Sequence, residues 1–180
     1  MGTFRGRYRT GSYRYHGYDY SSPGEYFITI DVKNFRPCFG KIIDGKVLLS
    51  EAGKIAEKCW SEIPNHFKHI NIDEFVIMPD HMHGIICICE MKISPSPEIE
   101  QIYEKQKNRN ANPHMSEISP SKGSLAAIIR SYKSAVSKMI HDIDHRFEWQ
   151  SLYYDHIIRG HDELCRIRNY IRNNPKNAKL

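Results

Sequence analysis

The stretch Glu74 to Cys89, EFVIMPDHMHGIICIC, constrains the fold more than any other part of this chain. An apolar run, Phe75-Val76-Ile77-Met78, stops at Pro79-Asp80, and a second begins at once with His81-Met82-His83. Two such runs joined at a turn dipeptide read as neighbouring strands, His69 to Met78 and His81 to Cys89. Side chains alternate along a strand, so His81 and His83 leave one face side by side, and Ile85, Cys87 and Cys89 continue it. Met82, Gly84, Ile86 and Ile88 line the other. Both faces are apolar below the histidines, as in a central strand covered on two sides. Two imidazoles at the lip of such a strand make half of a site for a divalent metal. They also suit two ordinary strand-end side chains, so the other half has to be sought elsewhere.

Before this stretch, Tyr26-Phe27-Ile28-Thr29-Ile30-Asp31-Val32 reads as a first strand, following a turn cluster at residues 19–24. Phe39 to Ile43 and Val47 to Leu49, split by Asp44-Gly45, read as a small hairpin. A helix opens at Ser50, with Ile55, Cys59 and Ile63 on its core face, Trp60 beside them and Pro64 as its stop. Four prolines and a charge-rich centre mark residues 91–123 as an insertion. Ser124 to Asp142 carries a helical repeat: Leu125, Ile128, Ile129, Tyr132, Val136, Met139 and Ile140. An aromatic segment, 147–159, supplies a short strand, and a last helix starts at Asp162 as N-cap and stops before Pro175. The order is strand, hairpin, helix, strand, strand, helix, strand, helix. It fits an α+β domain on an antiparallel sheet, near the ferredoxin-like (RRM-like) plan. Residues 19–180 form that one domain, and residues 1–18 an arm before it.

The chain has 180 residues, enough for one sizeable core, and no apolar stretch approaches the ~20 residues of a membrane span. Its five cysteines form an odd set spread over strands and helices, which points to reduced thiols and a cytoplasmic setting. The formal charge is +5. Its distribution is more telling than its size: Arg5, Arg7, Arg9 and Arg14 alternate with Tyr8, Tyr13, Tyr15 and Tyr18, with no acid before Asp19. Guanidinium forks suit phosphates and phenol faces suit unpaired bases. Arg130, Lys133 and Lys138 add a basic edge to the long helix, which could follow a phosphate backbone or simply face solvent.

The last helix buries Leu164, Ile167 and Ile171, with Tyr170 at the edge of that stripe and Asn174 one turn further along. A phenol is a poor nucleophile unless its anion is stabilised, and a divalent cation beside an acceptor phosphate supplies much of what it lacks. Two histidines and a carboxamide leave coordination positions open for phosphate oxygens and water, as catalysis requires. Tyr170 is alternatively a helix-edge packing residue.

Together these segments resemble a known family. They are Gly17-Tyr18-Asp19-Tyr20, Pro23 to Phe27, Asp73 to Gly84, Ile128 to Ser134, Trp149-Gln150, Tyr153 to Arg159 and Tyr170 to Pro175. In this order they are similar to the REP-associated tyrosine transposases, single-strand transposases with a His-hydrophobe-His motif and one catalytic tyrosine. The resemblance implies that His81 and His83 hold Mg²⁺ or Mn²⁺ and that Tyr170 attacks a phosphodiester of single-stranded, hairpin-bearing DNA. A 5′-phosphotyrosine and a free 3′-hydroxyl would result, and rejoining would reverse the step without ATP. Asn174 stands where the family has a third polar ligand, often Gln. Arg5, Arg7, Arg9, Arg14, Arg130 and Lys133 are the candidates for DNA contact. The setting implied is a prokaryotic cytoplasm, without a membrane partner, as a monomer or a homodimer. Two other readings keep the fold. One is a replication-initiator or relaxase-type nickase with the same chemistry; the other is a non-catalytic single-strand-binding module with structural histidines. A metal hydrolase using activated water is a further alternative.

Overall fold

The computed structural model describes residues 18–90, 120–121 and 123–178. In chain order the elements are β1 (Gly24–Asp31), a 3-10 turn (Lys33–Phe35), β2 (Gly40–Ile43), β3 (Lys46–Leu49), α1 (Glu51–Ser61) and α2 (Ile63–His66). Then come β4 (Ile70–Ile77), β5 (His81–Ile88), α3 (Leu125–His141), β6 (Tyr154–Ile158) and α4 (His161–Asn177). The main sheet runs β4-β5-β1-β6 with every neighbouring pair antiparallel. β1 and β4 therefore run parallel on either side of β5, as do β5 and β6 on either side of β1, and α1 and α3 make the two crossovers. This is the ferredoxin-like plan expected from the sequence. β2 and β3 form a separate hairpin whose Asp44 and Gly45 both have positive φ (49° and 70°), the geometry a two-residue turn favours.

The alternation along the strands sorts the layers. Tyr26, Ile28, Ile30, Met82, Ile86 and Ile88 face α1 and α3, where they meet Trp60, Ile128, Tyr132 and Val136. Each such side chain contributes ~1.5–3 kcal/mol on leaving water. On the reverse face Ile85 and Ile158 pack with Leu164 and Ile171 of α4. α4 thus lies across the face that carries the histidines. β5 is buried almost throughout, as its two apolar faces require.

Several expectations need correction. The buried stripe of α1 is Ala52, Gly53, Ala56, Cys59 and Trp60, while Ile55 is only half-buried. At Gly53 a small residue is required because the helix lies against Phe39 and Leu49 beside the β2–β3 hairpin. Pro64 does not simply end α1; it stands in the first turn of α2, where its missing N–H costs nothing. Met139 is exposed rather than part of the α3 stripe. Gly160, not Asp162, takes the N-cap position of α4. Pro175 lies inside α4, and Ala178 N still donates to Asn174 O (3.0 Å) beyond it. A proline one turn from a helix end removes a single bond, which the last turn absorbs. Cys89 falls just past β5 and is exposed, and all five cysteines are free. The arm up to residue 17 and nearly all of the 91–123 insertion lie outside the described residues, and among those described no helix is long and apolar enough to cross a membrane.

Gly53 provides a test of this packing. A Cβ there would lie 2.1 Å from Phe39 O and 3.0 Å from Leu49 Cδ2. That carbonyl is held in place, accepting from Ser50 N at 2.9 Å. Alanine favours a helix by ~1 kcal/mol over glycine, yet the collision dominates. Gly53→Ala is expected to lose ~1–3 kcal/mol in urea unfolding; a stabilised variant would show the contact to be soft.

Candidate active site

His81 opens β5 opposite Asp31 of β1, and His83 sits between Thr29 of β1 and Val76 of β4. Directly paired residues point to one face, so His81, His83, Thr29 and Asp31 all turn toward α4. There α4 brings Tyr170 onto the motif: its Oη lies 3.3 Å from His83 Nε2, across 87 residues of sequence. The two rings are tilted with centroids 5.2 Å apart, and His81 and His83 stand 4.7 Å apart edge to face. Phe27 stacks on His83 at 5.4 Å and meets Tyr170 edge-on at 6.0 Å. Tyr170 remains 49 % exposed, so its phenol is open to a ligand arriving from solvent.

Two ion pairs flank the tyrosine and fasten its helix to the sheet edge. Arg168 Nε and Nη2 both donate to Asp73 Oδ2 (2.8 and 2.6 Å), and Arg172 pairs with Glu74. The two acids sit where the β4–β5 register shifts, between Ile72 and Phe75. Such a bulge re-aims side chains out of strict alternation. Ile171, buried between the two arginines in sequence, anchors the same turn of α4 from below.

Burial prepares His83 as a neutral imidazole. His83 is 6 % exposed, and burial, reinforced by the nearby His81, pushes its pKa down to about 3. Its Nδ1 lies 2.8 Å from Thr29 Oγ1. The Asp80 carboxylate can only accept, so His81 Nδ1–H donates to Asp80 Oδ1 at 2.6 Å. With each Nδ1 engaged by a neighbouring oxygen, each Nε2 can offer its lone pair, as in imidazoles that bind metals. The donor set therefore fits a divalent cation. Among the described residues no three His, Cys, Asp or Glu side chains gather as a metal-binding group, so further positions would fall to a carboxamide, water or phosphate oxygens. Asn174 lies one helical turn past Tyr170, ~6 Å along α4, on the same side.

The remaining candidates are placed differently. Arg130 is exposed on α3, but Lys133 is half-buried and donates from Nζ to Gln150 O (2.6 Å) and Ser151 O (3.2 Å). Burial pushes the Lys133 ammonium down to about 8. Its nearest charged influence is Asp31, whose carboxyl is raised chiefly by burial, with His81, Asp80 and Lys133 acting on it. Lys133 thus leans toward the histidine end of the sheet instead of extending an open basic edge. Arg5, Arg7, Arg9 and Arg14 lie outside the described residues. His156 Nε2 meets Glu163 Oε1 at 2.9 Å and Arg159 N donates to Glu163 Oε2 at 2.6 Å, a packing role for the β6–α4 corner. Asp155, buried on the opposite face, is no part of the site. Sequence reasoning missed Thr29, Asp80 and Phe27. Asp80 was findable, being a carboxylate beside the histidine motif; Thr29 and Phe27 reach it only through strand register.

An α+β domain of ferredoxin-like topology, with a tyrosine helix laid over a His-x-His strand, is thus the class this chain falls in. A solved structure of a REP-associated tyrosine transposase bound to a REP hairpin has the same fold. It superposes with a TM-score of 0.56 over 93% of this chain and 73% of that one, at 17% identity. No protein-family profile matches. A protein of Haemophilus influenzae (strain ATCC 51907 / DSM 11121 / KW20 / Rd), described only as uncharacterized, is 38% identical over 168 residues, 91% of this chain and 87% of that protein. The chain belongs to the family of that Haemophilus influenzae protein.

Proposed function

We propose that this protein is a transposase-type enzyme that cleaves and rejoins single-stranded, hairpin-bearing DNA through Tyr170. The observation that carries the reading is the Tyr170 Oη–His83 Nε2 approach of 3.3 Å within one chain. The ring packs on Phe27 and His83 while the residue stays half-exposed, which leaves the phenol beside a buried imidazole and within reach of solvent. In the reaction the Oη–phosphorus bond forms, the phosphorus–O3′ bond breaks, and the phenolic proton ends on the departing 3′-hydroxyl. The energy of the phosphodiester is kept in the 5′-phosphotyrosine, so rejoining needs no nucleotide cofactor. His81 and His83, with Asn174 as a third donor, would hold Mg²⁺ or Mn²⁺, which supplies polarisation of the phosphoryl oxygen and neutralisation of developing charge. Arg168 and Arg172 keep the tyrosine helix on the motif, which supports a nucleophile supplied in the same subunit. The arm residues Arg5, Arg7, Arg9 and Arg14, with Arg130, are proposed to contact the DNA backbone, whereas the Lys133 ammonium is held by the Gln150 and Ser151 carbonyls.

Incubating the full chain with labelled hairpin oligonucleotides and Mn²⁺ tests this. A denaturant-resistant protein–DNA adduct should appear, retain a label placed 3′ of the break, and vanish with a chelator. A free 5′-phosphate product without an adduct would instead indicate hydrolysis by activated water. Binding without either product would mean a non-catalytic module.

A further inference from the structure

Beyond the histidine end of β1, Asn34 (φ 58°) and Phe35 (φ 51°) follow one another in the left-handed region. Asparagine tolerates this conformation, whereas a bulky side chain rarely adopts it. Burial does not compensate Phe35, which at 63 % is the most exposed large apolar residue among those described. The surroundings hold the turn in this shape. Val32 N donates to Asp80 O (2.8 Å) and Lys33 N to Glu148 O (2.9 Å), while Arg36 Nη1 pairs with Asp144 (2.8 Å). Asp80 is also the carboxylate that engages His81, so the turn is fixed to the histidine motif. Phe35 lines a cleft of about 440 Å³ together with Arg36, Pro37 and Arg146. Pro37 also borders a second cleft, of about 280 Å³, with Lys41 and Leu48. Those two residues face each other across β2 and β3 on the exposed side of the hairpin. Exposed apolar surface in both clefts is thus flanked by cations. Arg36 and Arg146 share the single carboxylate of Asp144, which leaves one positive charge there unbalanced.

We propose that this surface, running from the end of β1 onto the β2–β3 hairpin, receives the unpaired flank of the DNA. Phe35 stacks on a base, and Lys41 and Arg146 meet the neighbouring phosphates. This deepens the reading above and rests on it. Phe35 stands four residues past Asp31, which pairs with His81, so it lies at most ~14 Å of extended chain from the histidine row. A strand leaving that row can reach the ring directly. Backbone strain at an exposed aromatic has no folding benefit in view, and such strain persists where function uses the side chain. An open ring between unbalanced cations matches a single strand, which carries free base faces and one charge per nucleotide. A duplex hides its base faces, and an apolar peptide would leave the cations unmatched.

The experiment uses the full chain carrying Tyr170→Phe, so that binding is read without reaction. Hairpin oligonucleotides carry the fluorescent base 2-aminopurine at successive positions of their unpaired flanks. One position should be quenched on binding. Adding Phe35→Gly should remove that quench and weaken binding roughly 5- to 150-fold, the range for one stacked base. The same substitution relieves the left-handed backbone, so the thermal midpoint should hold or rise, by up to ~4 °C. Adding Phe35→Tyr should preserve quench and affinity, since the ring remains. Adding Lys41→Gln should lower the slope of log affinity against log salt by ~0.7, the share of one single-strand phosphate. Unchanged quench and affinity in Phe35→Gly would overturn the proposal, and a lowered thermal midpoint would overturn it by making Phe35 a structural residue. An unchanged salt slope in Lys41→Gln would remove the hairpin from the surface. If Tyr170→Phe alone binds no single strand, the proposed function falls together with this surface; if it binds and only the Phe35 variants show no effect, the surface alone falls.

Discussion

Tyr170→Phe is expected to yield no covalent protein–DNA adduct while binding the same hairpin DNA as tightly as the native chain. The substitution deletes one oxygen and keeps the ring that packs edge-on against Phe27 and tilted against His83. What is lost is a single 3.3 Å contact to His83 Nε2 at a half-exposed position, worth at most ~1 kcal/mol of stability. Adduct formation should fall at least ~1,000-fold, because the substitution removes the proposed nucleophile itself. His81→Ala and His83→Ala should also suppress the adduct, for a different reason: they keep the nucleophile and remove its metal-binding partners. Time courses on denaturing gels separate the cases, since added Mn²⁺ can restore some rate to a histidine variant and none to Tyr170→Phe. An undiminished adduct in Tyr170→Phe would mean another nucleophile. Tyr154 is the exposed phenol to examine first, by mass spectrometry of the trapped peptide.

The two halves of this site differ in how far the sequence discloses them. His81 and His83 are legible because strand alternation puts residues two apart on one face. Tyr170 is legible because helical periodicity sets it beside Ile167 and one turn before Asn174. Both patterns are local. That α4 crosses to the histidine face is not local; it follows from the Gly160 reversal and from Ile171 and Leu164 finding Ile85 and Ile158. The ion pairs Arg168–Asp73 and Arg172–Glu74 join positions about a hundred residues apart through a bulge that no propensity announces. Element order discloses the topology, whereas Pro64 and Pro175 mislead about where the helices end. Proline breaks a helix interior, but a first or last turn has few bonds for it to break. Apolar bulk points to Ile55 as a core residue of α1, yet Ala52, Gly53 and Ala56 are the buried positions beside Cys59 and Trp60.

Gly84→Val is expected to be among the most destabilising single substitutions in the chain, and the reason lies on the face away from the histidines. A Cβ at Gly84 would stand 2.5 Å from Trp60 Cζ2, 2.9 Å from Trp60 Cε2 and 3.2 Å from Phe75 Cβ. The indole has no room to retreat. It is fully buried, set edge-on against Tyr132 at 5.1 Å and tilted against Phe75. The strand must lift instead, and it is the strand that places His83. Gly84→Val should cost ~3 kcal/mol or more in urea unfolding, with Gly84→Ala nearer the lower end of the overpacking range. Trp60→Leu alone should cost ~3 kcal/mol by opening a cavity. In the double variant the valine methyls enter that cavity, so the two losses should fall short of adding by ~1–3 kcal/mol. Strict additivity across the four proteins would mean that Trp60 is not what forbids a side chain at Gly84. A favourable coupling would make Gly84 a packing residue whose lack of a side chain lets Trp60 hold β5 level beneath the histidine pair.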